Sequence, residues 1–375
     1  MVKKATVFKK IILLVVLSFC ISCASMEERC MKGGNEHDCF LSGTNYLYGR
    51  DVNKDFNKAF RLLKKGCEGK EKFEKEACTN LGYMYYGGMG IEQDIPSAII
   101  LSHIACKEGS ADGCHNLATS FRIGERGLVD IDNLRAKDLF EKACLSGVDN
   151  ACGELGIMYM NGLGTEKNYD KAFKLLEDSC NAGNDFACTN LALLYISGKG
   201  VSKNEKKAEK LLQKSCKKHH TACSLKKYKK ECDQGEAYSC YYFGDYLNRD
   251  YVIYRVENYD LAANFYEKAC FSGIDSGCSS LAKLYIEGRG VKKDMNIALN
   301  LLGMSCDDGR SSSCKKIAEL YEKGEQIPQN PEKSLEFYKK SCEASDEEVC
   351  KKIGNSENSE NQGKESNETT TEVKE

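Results

Sequence analysis

The stretch from Cys78 to Cys114, CTNLGYMYYGGMGIEQDIPSAIILSHIACKEGSADGC, decides the fold. Counted from Cys78 it carries Leu81, Gly82 and Tyr85, then Gly88 and Gly90, then Asp94, Ala98, Leu101 and Cys106. The same offsets return from Cys188 as Leu191, Ala192, Tyr195, Gly198, Gly200, Asn204, Ala208, Leu211 and Cys216, and again from Cys152 and Cys278. Leading cysteines are spaced 36 residues apart, or 38 to 39 where a loop is longer. A fixed period of that size marks stacked supersecondary units, each unable to bury its apolar face alone.

The spacing also defines the unit. Leu81, Gly82 and Tyr85 form a helical stripe with a small residue where a second helix can approach. Gly88 ends that helix, because glycine enters the left-handed region without a Cβ penalty. Asp94 then caps a second helix, Pro96 fits its first turn, and Ala98, Leu101 and Ala105 line its inner face. Each unit is a helix hairpin, and the full units start at Cys39, Cys78, Cys114, Cys152, Cys188, Cys240, Cys278 and Cys314.

The 22 cysteines are too many for a reducing cytosol without a metal role. Zinc is the alternative, but no matched Cys-x2-Cys pairs occur past the first segment and the 5 histidines fall in no ligand spacing. No metal and no cofactor is expected. Eight residues separate Cys106/Cys114, Cys144/Cys152, Cys180/Cys188, Cys232/Cys240, Cys270/Cys278, Cys306/Cys314 and Cys342/Cys350. On one straight helix such residues stand ~12 Å apart, beyond the ~7 Å that a disulfide tolerates. The chain must therefore turn between them if they pair, and Gly109, Gly147, Gly183, Gly235, Gly273 and Gly309 sit where the turn falls. Each pair would then staple the end of one hairpin to the start of the next. Cys30/Cys39, Cys67/Cys78 and Cys216/Cys223 complete the set at separations of nine, eleven and seven.

This pattern resembles the Sel1-like repeat, a relative of the tetratricopeptide repeat. With one Cys-x7-Cys pair per unit it resembles the Helicobacter cysteine-rich protein family in particular, over roughly residues 30–350. The resemblance implies an all-α, right-handed superhelical solenoid of hairpins stapled by disulfides. In tetratricopeptide-type solenoids the first helix of each hairpin lines the concave face. On that basis the candidate ligand-binding residues are Asn80, Tyr83, Asn116, Thr119, Glu154 and Asn190, with Thr79, Tyr86, Ile157, Met160, Thr189, Leu193 and Ile196 at the same offsets. Asn80, Asn116 and Asn190 share one offset, and a ladder of amides can hold the main chain of an extended peptide. The plainer reading is solvated helix surface. The recurring Tyr85, Tyr159, Tyr195, Tyr285 and Tyr321 suggest an aromatic strip, but their place in the packing stripe makes them core.

Residues 1–25 read as a signal peptide: Lys3, Lys4, Lys9 and Lys10, then an apolar run from Ile11 to Cys20 too short to span a bilayer. Cys23 as a lipidated first residue is the alternative, and the only route to a membrane. Simple secretion is favoured because Cys20 stands where lipoprotein boxes usually carry Leu. Export places the chain outside the bacterial cytoplasm, secreted or periplasmic. Removing four lysines takes the formal charge from −2 to −2 − 4 = −6, and no basic stripe compensates, so nucleic acid is not a partner.

Residues 26–353 form the array. Its irregularity lies at 216–240, where Cys232 follows Cys223 by nine residues and CSLKKYKKEC keeps one helix without its partner. A tolerated deletion is the simpler account, and a hinge the functional one. His219 and His220 beside this joint are a surface turn or, more sharply, a pH-sensitive contact. Residues 354–375 are a polar tail, too poor in apolar groups to fold.

No catalytic constellation emerges. The resembled family is classed with penicillin-binding proteins and β-lactamases, which implies slow hydrolysis of β-lactam amides as an alternative function. Ser-x-x-Lys occurs at Ser215/Lys218, Ser224/Lys227, Ser280/Lys283, Ser312/Lys315 and Ser313/Lys316, without the Ser-Asp-Asn and Lys-Thr-Gly that give it meaning. The residues themselves favour a scaffold for a peptide, a peptidoglycan fragment or, by resemblance, a host protein; β-lactams enter only through the enzyme alternative.

Overall fold

The computed structural model describes residues 26–32, 35–69, 74–125, 127–217, 220–248 and 258–353. The expected signal segment with Cys23, the polar tail and His219 lie outside them. Regular structure among the described residues is helical throughout, apart from one bridge between Glu125 and Val129.

Two compact units divide the chain, residues 1–211 and 212–375. In the first, α1 (26–31) precedes five hairpins. Their first helices are α2 (Glu36–Tyr48), α4 (Lys75–Gly87), α6 (Ala111–Ile123), α8 (Asp149–Asn161) and α10 (Asp185–Ser197). Their second helices are α3 (Phe56–Cys67), α5 (Ile95–Lys107), α7 (Asn133–Leu145), α9 (Tyr169–Asn181) and α11 (Glu205–Cys216). The second unit begins within α11, and α12 (His220–Asp233) follows, opened by His220. The chain then runs through α13 (Ala237–Asn248), α14 (Tyr259–Phe271), α15 (Asp275–Glu287), α16 (Met295–Asp307), α17 (Ser311–Lys323) and α18 (Pro331–Glu343). A further helix, α19 (347–353), follows α18. Consecutive helices pack on one another from α2 to α10 and from α12 to α18, as stacked hairpins require.

One local device recurs in the hairpin loops of the Cys78, Cys152, Cys188 and Cys278 units. The first helix ends on a glycine, Gly88 in the Cys78 unit at φ 62°, a left-handed conformation that an L side chain enters only at a cost. The next polar cap then folds back. Its N–H donates to the carbonyl of the stripe residue: Asp94 to Tyr85 (3.0 Å), Asn168 to Tyr159 (2.8 Å), Asn204 to Tyr195 (2.9 Å), Asp294 to Tyr285 (3.1 Å). The cap side chain meanwhile accepts from the amide three residues on, as Asp94 does from Ser97 and Asn168 from Lys171. Loop and helix start are thus fixed together.

The core runs between the two helices of each hairpin and on to the next. Gly82 and Gly156 let the second helix approach: a Cβ at Gly156 would meet the Leu176 side chain at 2.9 Å. The largest contribution comes from one position of the second helix, filled by Leu63, Phe140, Leu176, Leu212, Tyr266, Leu302 and Tyr338, all buried. Burying each such side chain is worth about 1.5–3 kcal/mol.

All ten cysteine pairs are bridged, with Cα atoms 4.4 to 4.9 Å apart. The chain turns between the partners through glycines at positive φ, such as Gly109 at 88°.

The joint at Cys350 departs from the expectation that every bridge ties one hairpin to the next. Cys342 and Cys350 are bonded, their Cα atoms 4.9 Å apart, but Cys350 lies in α19, a single helix with no hairpin partner among the described residues. Cys350 is half-buried, as is Cys152, whereas the leading cysteines Cys78, Cys114, Cys188, Cys278 and Cys314 are buried. The turn before Cys350 also has no glycine, and Ser345 takes the left-handed conformation there at φ 72°. The bridge at Cys350 thus secures one short helix to α18 in place of joining two units.

Each short loop contributes about 2.5 kcal/mol at most on a chain-entropy estimate. Ten bridges mark an oxidising, extracytoplasmic setting. No helix among the described residues is long and apolar enough to cross a membrane.

Candidate functional site

Within residues 1–211 the first helices of successive hairpins lie against one another, α2 beside α4, α4 beside α6 and α8 beside α10, while second helices meet more sparsely. Side chains pointing off this crowded layer are the ones a ligand on the inner face would meet.

A cleft of about 170 Å³ opens between α4, α5 and α6, lined by Tyr83, Tyr86, Ser102, His115, Asn116 and Thr119. Its origin is a missing core side chain. Ser102 holds the position that Leu, Phe or Tyr fills in the other seven full hairpins. The serine is buried, and its hydroxyl is satisfied by the Ala98 carbonyl at 2.9 Å. Gly82 adds no side chain of its own; a Cβ there would already stand 3.3 Å from that carbonyl. Drug-sized ligands occupy clefts of about 300–1,000 Å³, so this one suits a single side chain.

The rim is aromatic and polar. Tyr83 and Tyr86 are 43% and 42% exposed, large for rings on a packed helix. Burial raises the Tyr86 hydroxyl pKa, and the Glu125 carboxylate adds to it by charge and as a hydrogen-bond acceptor. The ring of His115 lies 5.6 Å from Phe140, and its Nδ1 is 3.4 Å from Asn116 Oδ1. Thr119 donates to the His115 carbonyl at 3.0 Å.

The six candidate residues do not form one surface. Tyr83, Asn116 and Thr119 meet at the cleft. Asn80 turns to the preceding hairpin, its Nδ2 donating to Thr44 Oγ1 at 2.9 Å. Glu154 lies 3.5 Å from the buried Arg122 guanidinium. Asn190 is buried, donates to its own helix at the Phe186 carbonyl (3.0 Å), and its Oδ1 has no hydrogen-bond partner. The asparagine ladder therefore does not run through all three. Ile157, Met160, Leu193 and Ile196 at neighbouring offsets are buried, and Thr79 is held by the Lys75 carbonyl and Ser110. Tyr159 and Tyr195 are core, while Tyr85, Tyr285 and Tyr321 are half-buried. Sequence reasoning missed Ser102 and His115; the signal for Ser102 was the one break in a column of large apolar residues.

Where both members of a Ser-x-x-Lys pair are described, the lysine lies near a carboxylate. Lys315 reaches Glu348 at 2.8 Å, which holds its ammonium above the usual lysine value and unsuited to act as a base. Lys227, Lys283 and Lys316 lie 4.0, 3.9 and 3.7 Å from Glu231, Glu287 and Glu319. Ser313 is buried against Ser279 and Ser305, each at 2.9 Å. Lys218 lies outside the described residues. Among the described residues no group of three or more His, Cys, Asp or Glu side chains could hold a metal ion.

Stacked helix hairpins with a side-chain-sized cleft on the inner layer define a repeat scaffold of the kind that mediates protein interactions. The chain belongs to the Sel1 repeat family, whose model matches residues 39–70, 75–110, 111–148, 150–184, 185–220, 237–270, 276–309 and 311–346. Human cytochrome c oxidase assembly factor 7 is 33% identical over 137 residues, 34% of this chain and 57% of that protein. The chain thus spans little more than half the length of that relative. HRD3A of Arabidopsis thaliana, a component of an ERAD-associated E3 ubiquitin-protein ligase, is 35% identical over 71 residues, 19% of this chain and 10% of its own. Among solved structures, Helicobacter pylori cysteine rich protein B is 29% identical, covering 36% of this chain and 95% of its own at a TM-score of 0.28. The uropathogenic Escherichia coli antigen c5321 is 20% identical, covering 84% and 80% at a TM-score of 0.46.

Proposed function

We propose that this protein is an exported, disulfide-stapled scaffold that binds an extended peptide across its first helices and seats one side chain in the cleft between α4 and α6. The single observation that carries this reading is Ser102. A large apolar residue there would complete the core, and the chain instead keeps a void that opens between two exposed tyrosines. Asn116 lines it with an amide able to pair with peptide main chain. The ligand is a peptide, either from a protein partner (a host protein among them) or from the stem of peptidoglycan. The names of two relatives, an assembly factor and a ligase component, fit a protein partner. Export rests on the ten bridges together with residues 1–25, with lipidation at Cys23 as the alternative anchor.

Ser102→Leu tests this directly, because it restores the residue type found in neighbouring hairpins. Binding of stem peptides and of a pool of unstructured peptides, followed by fluorescence polarisation, is expected to weaken at least ~10-fold while the thermal midpoint holds or rises. Unchanged binding by a folded Ser102→Leu protein would sink the proposal. Nitrocefin turnover by the oxidised chain, kept in Ser102→Leu but lost on changing one serine, would favour β-lactam hydrolysis instead.

A further inference from the structure

Cations cover aromatic rings all along this chain. Lys58 stands 4.8 Å from the centre of the Tyr46 ring, Lys171 5.0 Å from Tyr159, Lys207 5.2 Å from Tyr195 and Lys333 5.3 Å from Tyr321. Even the exposed Tyr48 has Arg50 over its face at 5.2 Å. Among the described residues no lysine or arginine lies over Tyr83 or Tyr86, as none lies over Tyr85 or Tyr285. Tyr83 and Tyr86 stand three residues apart on one face of α4 and open onto the cleft.

A carboxylate waits at the same place. Glu125 follows α6, its backbone held by a hydrogen bond from its N–H to the Val129 carbonyl at 2.8 Å, and its side chain reaches the Tyr86 hydroxyl. It forms no ion pair among the described residues. The nearby Arg122 is buried and committed towards Glu154, and Arg50 is spent on Tyr48. Two ring faces with no cation over them and a void sized for one side chain share a rim, Glu125 stands beside Tyr86, and among the described residues no cationic partner faces them.

We infer that the cleft selects a peptide bearing a cationic side chain, its ammonium or guanidinium group seated over Tyr83 and Tyr86 and against Glu125. This rests on the peptide-binding reading above and adds the class of side chain. The ring quadrupoles supply attraction without a desolvated counter-charge, Glu125 supplies the charge, and the aliphatic stem of a lysine fills the space that Ser102 leaves.

Three peptides with the full oxidised chain decide it by calorimetry: Ac-Ala-Ala-Lys-Ala-Ala-NH2 and its Nε-acetyl-lysine and norleucine counterparts. The lysine peptide is expected to bind about 5- to 30-fold more tightly than the acetylated one at low salt, the ratio narrowing at about 0.5 M salt. Glu125→Gln and Tyr86→Leu should each pull the ratio towards one, and Tyr86→Phe should keep it. Equal binding of lysine and norleucine peptides, lost together in Ser102→Leu, removes the cation assignment and leaves peptide binding standing. A lysine preference that survives Glu125→Gln and Tyr86→Leu intact also overturns it. Binding of none of the three, alongside no binding from the wider peptide pool, removes both readings.

Discussion

Gly290 shows how much a single hydrogen atom can matter in this array. It is the second glycine of its Gly-x-Gly pair, at φ 70°, and a Cβ there would lie 2.2 Å from the Asp260 nitrogen and from the Tyr259 carbonyl carbon. Those atoms begin α14 of the preceding hairpin, so the glycine is where one unit's turn lies on its neighbour's helix start. Ser345 is the opposite case: a left-handed φ of 72° borne by a residue with a Cβ. Gly290→Ala is expected to cost more than about 2 kcal/mol, from the left-handed penalty plus a clash with rigid backbone. Ser345→Gly, by contrast, should be neutral to stabilising by about 0.5–1 kcal/mol, as relief of strain offsets the added freedom of the unfolded chain. Chemical denaturation of the two variants measures both, and a Gly290→Ala protein as stable as the parent would contradict the packing described.

At the scale of the element, α19 illustrates how a short segment is held. The bridge from Cys350 to Cys342 fixes its middle, and Lys352 holds its C-terminal turn. Lys352 reaches Glu322 Oε1 at 2.9 Å and the Tyr338 hydroxyl at 2.9 Å, while Tyr338 donates to Glu322 at 2.5 Å. Hydrogen bonds from Lys352 and then Tyr338 hold the Glu322 carboxyl below its ordinary value of 4.5. A depressed folded pKa contributes stability that is complete above the unfolded value and disappears as pH falls through the folded one. The group is largely solvated, so the effect is small and local. Hydrogen-exchange protection of residues 347–353 is therefore expected to be flat above about pH 5 and to decline below the unfolded value of about 4.5. Glu322→Gln should lower protection at neutral pH and remove the pH dependence. Protection that declines just as steeply in Glu322→Gln would assign the effect elsewhere.

Across the whole molecule, each unit leans only on its neighbours, and each joint carries its own staple. Reducing one bridge should loosen one joint by no more than about 2–3 kcal/mol, and reducing all of them should melt much of the array. The joint after Cys216 is built differently from the rest. It closes with a separation of seven, lacks a glycine three residues on, and leads into α12, a lone helix set between two bridges. The division into compact units at 211/212 falls just before it. Limited proteolysis in graded reductant is expected to cut first within residues 216–240. Early cleavage elsewhere, with that segment protected to the end, would make it a rigid junction.

The repeat, the hairpins and the ten bridges were legible in the sequence because each answers a local need recorded at a fixed offset. A glycine is required where φ turns positive, a cap where a helix starts, and two cysteines where the chain doubles back within a few residues. Leu63, Leu176 and Leu302 could be placed on a helix face by period alone. Spacing alone also paired Cys350 with Cys342, yet it could not say that α19 would stand without a second helix among the described residues. The candidate site was legible only in part. Tyr83, Asn116 and Thr119 line one cleft, but nothing in their spacing says that Asn190 turns into its own helix while Asn116 stays at a rim. That choice depends on what packs around each amide. The cleft was invisible for the same reason: Ser102 is ordinary as a residue, and it becomes a void only when Gly82, Ala98 and α6 close around the space that a leucine would have filled. Pattern along the chain determined the fold; which side chains stay open to a ligand was decided by three-dimensional packing, because a cavity is made by what its neighbours leave out.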